Sequence, residues 1–286
     1  MKPVRWNGYS LVKKNRQEDS MEIETVLRLG SFGLVFALIS LIEALKPLRK
    51  GFLAAPRWWN NLGLTLINSL VLRFSLGALA YQSAVWTQSQ GWGLLNQVNW
   101  PVTLELLLAL LVFDLLIYFQ HVLFHALPLF WRLHRVHHAD SGFDASTGLR
   151  FHPLEILLSL VYKAFCVLAL GPSPGAVLAF EILLNASSIF NHGNFRLPPW
   201  LEKTLRLGII TPDLHRIHHS QNPAETNSNY GFCLSLWDHL GGTYTNQAQK
   251  PQNEITLGLA QHSGPEQTQL LAMLLLPFKK SEQEKG

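Results

Sequence analysis

The apolar residues of this 286-residue chain come in long runs instead of alternating with polar ones. Residues 26–45 are apolar but for Arg28 and Glu43, residues 62–86 carry one charge (Arg73), and residues 102–119 carry only Glu105 and Asp114. Each run is near the roughly 20 residues that a helix needs to cross a bilayer. Buried helices of a large soluble core are the alternative, and three long runs in succession disfavour it. A fourth apolar region, residues 154–190, is interrupted by Gly171, Pro172, Ser173, Pro174 and Gly175, which predicts two short helices joined by a sharp turn. This hairpin either crosses the bilayer and returns or dips in from one side, and the pattern leaves that choice open. Its polar members Glu155, Lys163, Glu181 and Asn185 predict contact with protein as well as lipid. Residues 270–278, followed by Lys279 and Lys280, read as a short interfacial helix. The expected fold is all-α: an integral-membrane helical bundle with a cytoplasmic, histidine-rich helical cap. Residues 1–25 form a polar N-terminal segment, 26–243 the main domain, and 244–286 a polar tail.

Charge sets the expected orientation. The loop between the first two runs holds Lys46, Arg49, Lys50 and Arg57, whereas residues 87–99 carry no charge, so the first loop is expected in the cytoplasm and the second outside. Trp58, Trp59 and Trp131 then mark the inner interface and Trp86, Trp92 and Trp100 the outer one. Lys2, Arg5, Lys13, Lys14 and Arg16 count the other way. Residues 1–20 have neither a signal-peptide apolar core nor a cleavage signature, and Met21 offers a second start. A net charge of +4 without a basic stripe fits an anionic membrane surface and not nucleic acid. The two cysteines, Cys166 and Cys233, have no metal spacing and are compatible with a reducing compartment.

Chemistry is concentrated in eight histidines: His121 and His125 in HVLFH, His134, His137 and His138 in HRVHH, and His215, His218 and His219 in HRIHH. Residues three and four apart share a helix face, so each cluster is expected to point its imidazoles at one spot, and three clusters exceed what one ion needs. Two neighbouring metals follow, iron being favoured over zinc if the site does redox chemistry. A zinc protease is excluded at the first cluster, which lacks the HExxH glutamate. His192 closes the hairpin at the level of the clusters and is a further candidate ligand. His152, before Pro153, is either a ligand or a structural cap; His239 and His262 belong to no cluster.

Supporting residues can be placed too. Asp114, Tyr118, His121 and His125 share one face of the third run, so Asp114 is expected to fix a ligand imidazole by a hydrogen bond or to pair with Arg73. Thr211-Pro212-Asp213 reads as a helix start just before His215. Asn191 beside His192, and Asn229 and Asp238 in the glycine-rich segments 226–231 and 237–243, are candidates with Asp213 for hydrogen bonds that hold the ligands.

The order HxxxH, HxxHH, a histidine after a hydrophobic hairpin, HxxHH, then NYG and WDxxxGT resembles the fatty acid hydroxylase or sterol desaturase superfamily over about residues 62–243. It is most similar to compact bacterial members, with alkylglycerol monooxygenases more distant. The resemblance implies an integral-membrane di-iron oxygenase that hydroxylates or desaturates a lipid C–H bond, using O2 and electrons from a separate reductase. Its metal ligands would be His121, His125, His134, His137, His138, His192, His215, His218 and His219, with His152 at an HP position seen in methylsterol oxidases. Two departures stand out: Asn191-His192 replaces a paired HxxxH, and the sequence carries no fused cytochrome domain. The competing class is a histidine-rich zinc protein, either a hydrolase or a metal transporter. A transporter would place ligands near the bilayer midplane, whereas these clusters lie at the ends of runs.

Overall fold

A computed structural model describes residues 8–50, 55–75, 78–262 and 264–279. It is helical, and among the described residues the only β-type pairings are two isolated bridges, Ile209 with Leu234 and Ser220 with Leu257. The helices are α1 (Gly8–Leu45), α2 (Ala55–Ser75), α3 (Leu79–Gln90), α4 (Val102–Ala126), α5 (Pro128–His138), α6 (Pro153–Leu170) and α7 (Pro174–Asn191). Short helices follow: α8 (Pro199–Leu205), α9 (Pro212–His218), α10 (Pro223–Thr226), α11 (Leu236–Gly241) and α12 (Leu270–Leu275). Four stretches are long and apolar enough to cross a membrane: Ile23–Leu45, Pro56–Gln97, Val102–Ala126 and Pro153–Leu170. Leu29, Leu34, Leu41, Leu107 and Phe119 on these stretches are exposed, as side chains facing lipid would be.

The second run differs from the expectation of one span over residues 62–86. Its described residues form two helices, α2 and α3, with Ala78 outside the helical region (φ −87°, ψ 46°). α3 lies against α6, with Ala80 and Ala84 in a core shared with Phe113, Val167 and Phe180. The hairpin forms where predicted: Gly171 ends α6 in the left-handed conformation (φ +65°), and Ser173 caps α7. A Cβ on Gly171 would lie 2.4 Å from the Trp92 carbonyl oxygen, so only glycine allows the turn to dock on residues 92–96. At this end Glu105, near the start of α4, accepts from the Ser173 N–H and hydroxyl; at the other, Asn191 donates to the Phe232 carbonyl. The hairpin therefore runs nearly the full height of α4.

The loops expected on opposite sides lie at opposite ends of the bundle. Residues 92–96 meet the hairpin turn, while Leu48 and Arg49 donate their N–H groups to Asn194, two residues beyond His192. Glu43, fully buried, accepts from the N–H groups of Ala145 and Asn194 and fixes α1 at that end. Arg57, counted above among loop charges, is instead buried against Asp140 and Asp144. The segment after residue 243 is no loose tail. Ile255 and Leu257 join Phe143 and Ile217 in a core cluster. Met273 and Leu276 pack on Leu64 and Val136, and Arg135 donates to the carbonyls of Leu276 and Lys279. The expected interfacial helix thus buries one face on protein, and only Leu271, Leu275 and Phe278 remain exposed.

Candidate metal centre

α4, α5 and α9 meet at one end of the bundle, and the end of α7 closes in from the side. Each helix starts for a local reason. Pro128 and Pro212 occupy first-turn positions, where a missing N–H costs nothing. The Thr211 hydroxyl accepts from the Leu214 N–H, as the sequence predicts.

The histidines gather into two groups, and the grouping departs from the expectation that each cluster serves one spot. His121, His125, His134, His138 and His218 form one group; His137, His192, His215 and His219 form the other, each residue offering one ring nitrogen and these nitrogens lying within 4.8 Å of one another in each group. Each HxxHH helix is divided between them. In α5 the i,i+4 pair His134 and His138 joins the first group and His137 the second; in and after α9 the i,i+4 pair His215 and His219 joins the second and His218 the first. The reason is helical geometry: residues four apart nearly superpose in projection, while the middle histidine is turned away from them. The groups adjoin, with the His138 and His219 rings stacked at 4.3 Å.

Within each group ring nitrogens face one another at close range. His121 and His134 bring their Nε2 atoms to 3.1 Å. The His192 Nε2 lies 3.1 Å from the Nε2 of each of His137, His215 and His219. Four of the rings have their other nitrogen engaged by an acceptor: His121 Nδ1 with the Tyr230 carbonyl at 2.7 Å, His134 Nδ1 with Glu155 at 2.6 Å, His192 Nδ1 with the Ser188 carbonyl at 2.6 Å, and His218 Nδ1 with the Ser228 carbonyl at 2.7 Å. Donation from Nδ1 leaves Nε2 of the neutral ring as a lone pair. The Nε2 atoms of His125, His138 and His218 are buried with no hydrogen-bond partner at all. Converging ring nitrogens, several of them buried without a hydrogen-bond partner, are costly unless a cation lies among them. Ligand nitrogens at about 2.0–2.1 Å from one ion stand roughly 3 Å apart, so the donor set fits a first-row metal in each group.

Burial also keeps the rings neutral. It pushes His192 down to about 4 and His218 to about 3, against partial compensation from the Ser188 and Ser228 carbonyls. His137, His138, His215 and His219 are driven well below the ordinary histidine value by burial and by one another. At neutral pH all six present lone pairs, as metal ligation requires.

His152 lies outside both groups. Its Nδ1 accepts from the Leu154 N–H and caps α6, the second of the two roles expected of it, while its Nε2 lies 3.2 Å from the Leu274 carbonyl. None of the expected supporting side chains touches an imidazole nitrogen: backbone carbonyls and Glu155 hold the second nitrogens of four rings, and the Nδ1 atoms of His137, His215 and His219 are buried without a partner. Asp114 accepts from Cys233 N–H, Leu234 N–H and Trp237 Nε1–H, not from a histidine or Arg73. Asp238 accepts from the N–H groups of Tyr230 and Gly231 and from the Thr243 hydroxyl; Tyr118 pairs with that same hydroxyl at 3.0 Å. Asn229, in the left-handed region (φ +52°), donates to the Leu214 and Thr245 carbonyls, and Asn191 holds Phe232. These side chains support the centre at one remove, by shaping the 229–243 segment so that the Tyr230 carbonyl meets His121. Asp213 pairs with Arg216, which holds the carbonyls of Gly193 and Phe195 beside His192.

Sequence reasoning missed Glu155 as a histidine partner. The available signal was its place in the first turn of α6, at the hairpin end nearest the clusters. It also missed Asp140 and Asp144, which tie the loop after α5 to Arg57 on α2. Burial opposes ionisation of Asp140, but Arg57 and Arg150 outweigh it and hold the carboxyl well below its usual range. Trp131, expected in an interfacial belt, instead places its ring 5.0 Å from His125 and 5.3 Å from His138. His239 is exposed and stacks on Tyr244, away from the centre.

Two cavities reach the five-histidine group. One, about 460 Å³, is walled by Phe32, Leu72, Ile117 and Phe124 among others, and His121 and His134 line it too. The other, about 530 Å³, is more polar and opens beside His125, between α5 and residues 220–227 and 258–262. No member of the four-histidine group lines either.

Residues 106–243 match the family model described as fatty acid hydroxylase. The chain is 31% identical over 209 residues to ornithine lipid hydroxylase OlsE of Rhizobium tropici, covering 71% of this chain and 56% of that protein. It is 26% identical over 187 residues to alkylglycerol monooxygenase of Danio rerio, covering 64% of this chain and 39% of that protein. It is 28% identical over 223 residues to a cholesterol 25-hydroxylase-like protein of Danio rerio, covering 74% of this chain and 85% of that protein. The chain thus spans about half the length of the first two relatives. No solved structure matches. The matched segment begins in the first turn of α4 and ends just after α11, so the part of the chain that is similar to the fatty acid hydroxylase family holds all nine histidines of the two groups.

Proposed function

We propose that this protein is an integral-membrane di-iron oxygenase that hydroxylates an unactivated C–H bond of a lipid, with desaturation as the other outcome of the same chemistry. The observation that carries the reading is the pair of adjoining, converging imidazole groups, the five-histidine one lining a cavity with largely apolar walls through His121 and His134. His121, His125, His134, His138 and His218 would hold one iron, and His137, His192, His215 and His219 the other. When bound, the metals supply the one-electron chemistry with O2 that amino-acid side chains lack, and electrons come from a separate reductase. The protein's own share is positional. Glu155 and three backbone carbonyls fix ring tautomers, the cavity keeps water from the substrate, and the membrane-spanning helices let a lipid tail stay in an apolar phase. Names among the relatives, ornithine lipid hydroxylase and alkylglycerol monooxygenase, support a polar lipid as the substrate. The charge of residues 46–50 supports a centre facing the cytoplasm from the inner membrane, within reach of soluble reductants.

The test is anaerobic reconstitution of the purified protein with iron, followed by metal analysis, oxygen uptake on addition of reductant, and mass spectrometry of membrane lipids from cells with and without the gene. Two irons per chain and a lipid shifted by one oxygen atom are expected. Two zinc ions that iron does not displace, with no oxygen uptake, would establish the zinc reading instead.

A further inference from the structure

The cavity lined in part by His121 and His134 is not built like a simple slot for a hydrocarbon chain. Along α6, Glu155, Ser159 and Lys163 stand at i, i+4 and i+8 on one helix face, and all three line the cavity. Thr65, Asn68 and Ser69 line it from α2, and Gln120 lines it from α4. Most of these groups are satisfied: Ser159 donates to Gln120, Lys163 pairs with Glu181, and Thr65 donates to the Asn61 carbonyl. Two are not. Asn68 is 7% exposed and donates to the Phe151 carbonyl, but its Oδ1 has no partner. Glu155 is 3% exposed and holds His134 through Oε1, but its Oε2 has no partner. A buried acceptor without a donor costs on the order of 1–3 kcal/mol, and in an apolar, membrane-embedded setting water is a scarce remedy.

Resting on the lipid-oxygenase reading, we infer that the cavity admits the polar end of its lipid and not the tail alone, with Asn68 Oδ1 and Glu155 Oε2 accepting from O–H or N–H donors of the substrate. Lys163 lies eight residues along α6 from Glu155, about 12 Å at 1.5 Å per residue. The polar wall therefore extends some 12 Å from the histidine end, the length of a headgroup together with the first few carbons of a chain. Because Glu155 touches a histidine of the centre, a donor bound at its free oxygen places neighbouring carbons beside that centre. The substrate class is a lipid whose oxidised carbon lies close to a hydroxyl, amide or amine.

The experiment measures binding to iron-free protein in phosphatidylcholine nanodiscs, so that loss of oxygenase activity and loss of this recognition are read separately. The probes are radiolabelled 1,2-octadecanediol and its dimethyl ether, which share a chain but differ in donors. The diol is expected to bind about tenfold or more tightly than the ether, as one to two satisfied acceptors would give. Asn68→Leu, or the smaller truncation Asn68→Ala, should weaken the diol by about tenfold and leave the ether unchanged, which also shows that the variant is folded. Equal binding of the two probes by the unmodified protein, or binding of neither, would overturn the inference.

Discussion

At the scale of single residues, the nitrogen that a histidine leaves free decides whether it can bind metal. Glu155→Gln removes the carboxylate that holds His134 in one tautomer, and a loss of about 10 to 100-fold in metal affinity is expected, measured by equilibrium dialysis with an intact circular dichroism spectrum. Asp114→Asn should act differently. An amide would turn an NH2 toward at least one of the donors on Cys233, Leu234 and Trp237, costing about 1–3 kcal/mol of stability, which a lowered melting point in detergent checks. His152→Ala separates a cap from a ligand. It should cost about 0.5–2 kcal/mol through the start of α6 and leave the bound metal unchanged. Metal loss in that variant would return His152 to the centre.

At the scale of elements, two helices bearing HxxHH are each shared between the two groups. His137→Ala should therefore empty the four-histidine group and His218→Ala weaken the five-histidine one, each leaving close to half of the metal, as elemental analysis per chain would show. Complete loss from both variants would mean that the groups fill only together. The loop after α5 matters as much as the helices. A Cβ on Gly148 would lie 2.7 Å from the Ser188 carbonyl oxygen, the acceptor that orients His192, and 3.2 Å from His192 Nδ1. Gly148→Ala is expected to lower occupancy of the four-histidine group while His239→Ala, on an exposed ring, changes neither metal content nor melting point.

At the scale of the whole molecule, the buried neutral histidines tie stability to pH. His192 and His218 are depressed to about 4 and about 3, so the unfolded chain binds more protons than the folded one below the ordinary histidine value near 6.5. Their contribution is present above that value and is lost as pH falls toward 4 and below. The melting point of the metal-free protein should drop steadily over that range, and a flat profile would contradict the burial of neutral rings. Orientation is read by labelling: a cysteine in place of exposed Gln90 should react from the outer side, and one in place of exposed Asn253 only after permeabilisation. The reverse pattern would move the centre away from cytoplasmic reductants.

Periodicity and spacing alone were enough to place an apolar run at 102–119, a two-helix hairpin over 154–190 with its turn at 171–175, the Thr211 cap and the eight clustered histidines, because each is a local property written in a few adjacent residues. Tertiary structure decided what depends on partners distant in sequence. It divided each HxxHH between two groups, since three-residue and four-residue spacings meet different neighbours. It turned Asp114 and Asp238 toward backbone N–H groups of the 230–234 segment, which no spacing within α4 or α11 encodes. It gave His134 to Glu155, 21 residues away, and withdrew His152 into a helix cap, because an imidazole at a helix start can satisfy an orphan N–H more cheaply than it can reach a distant ion.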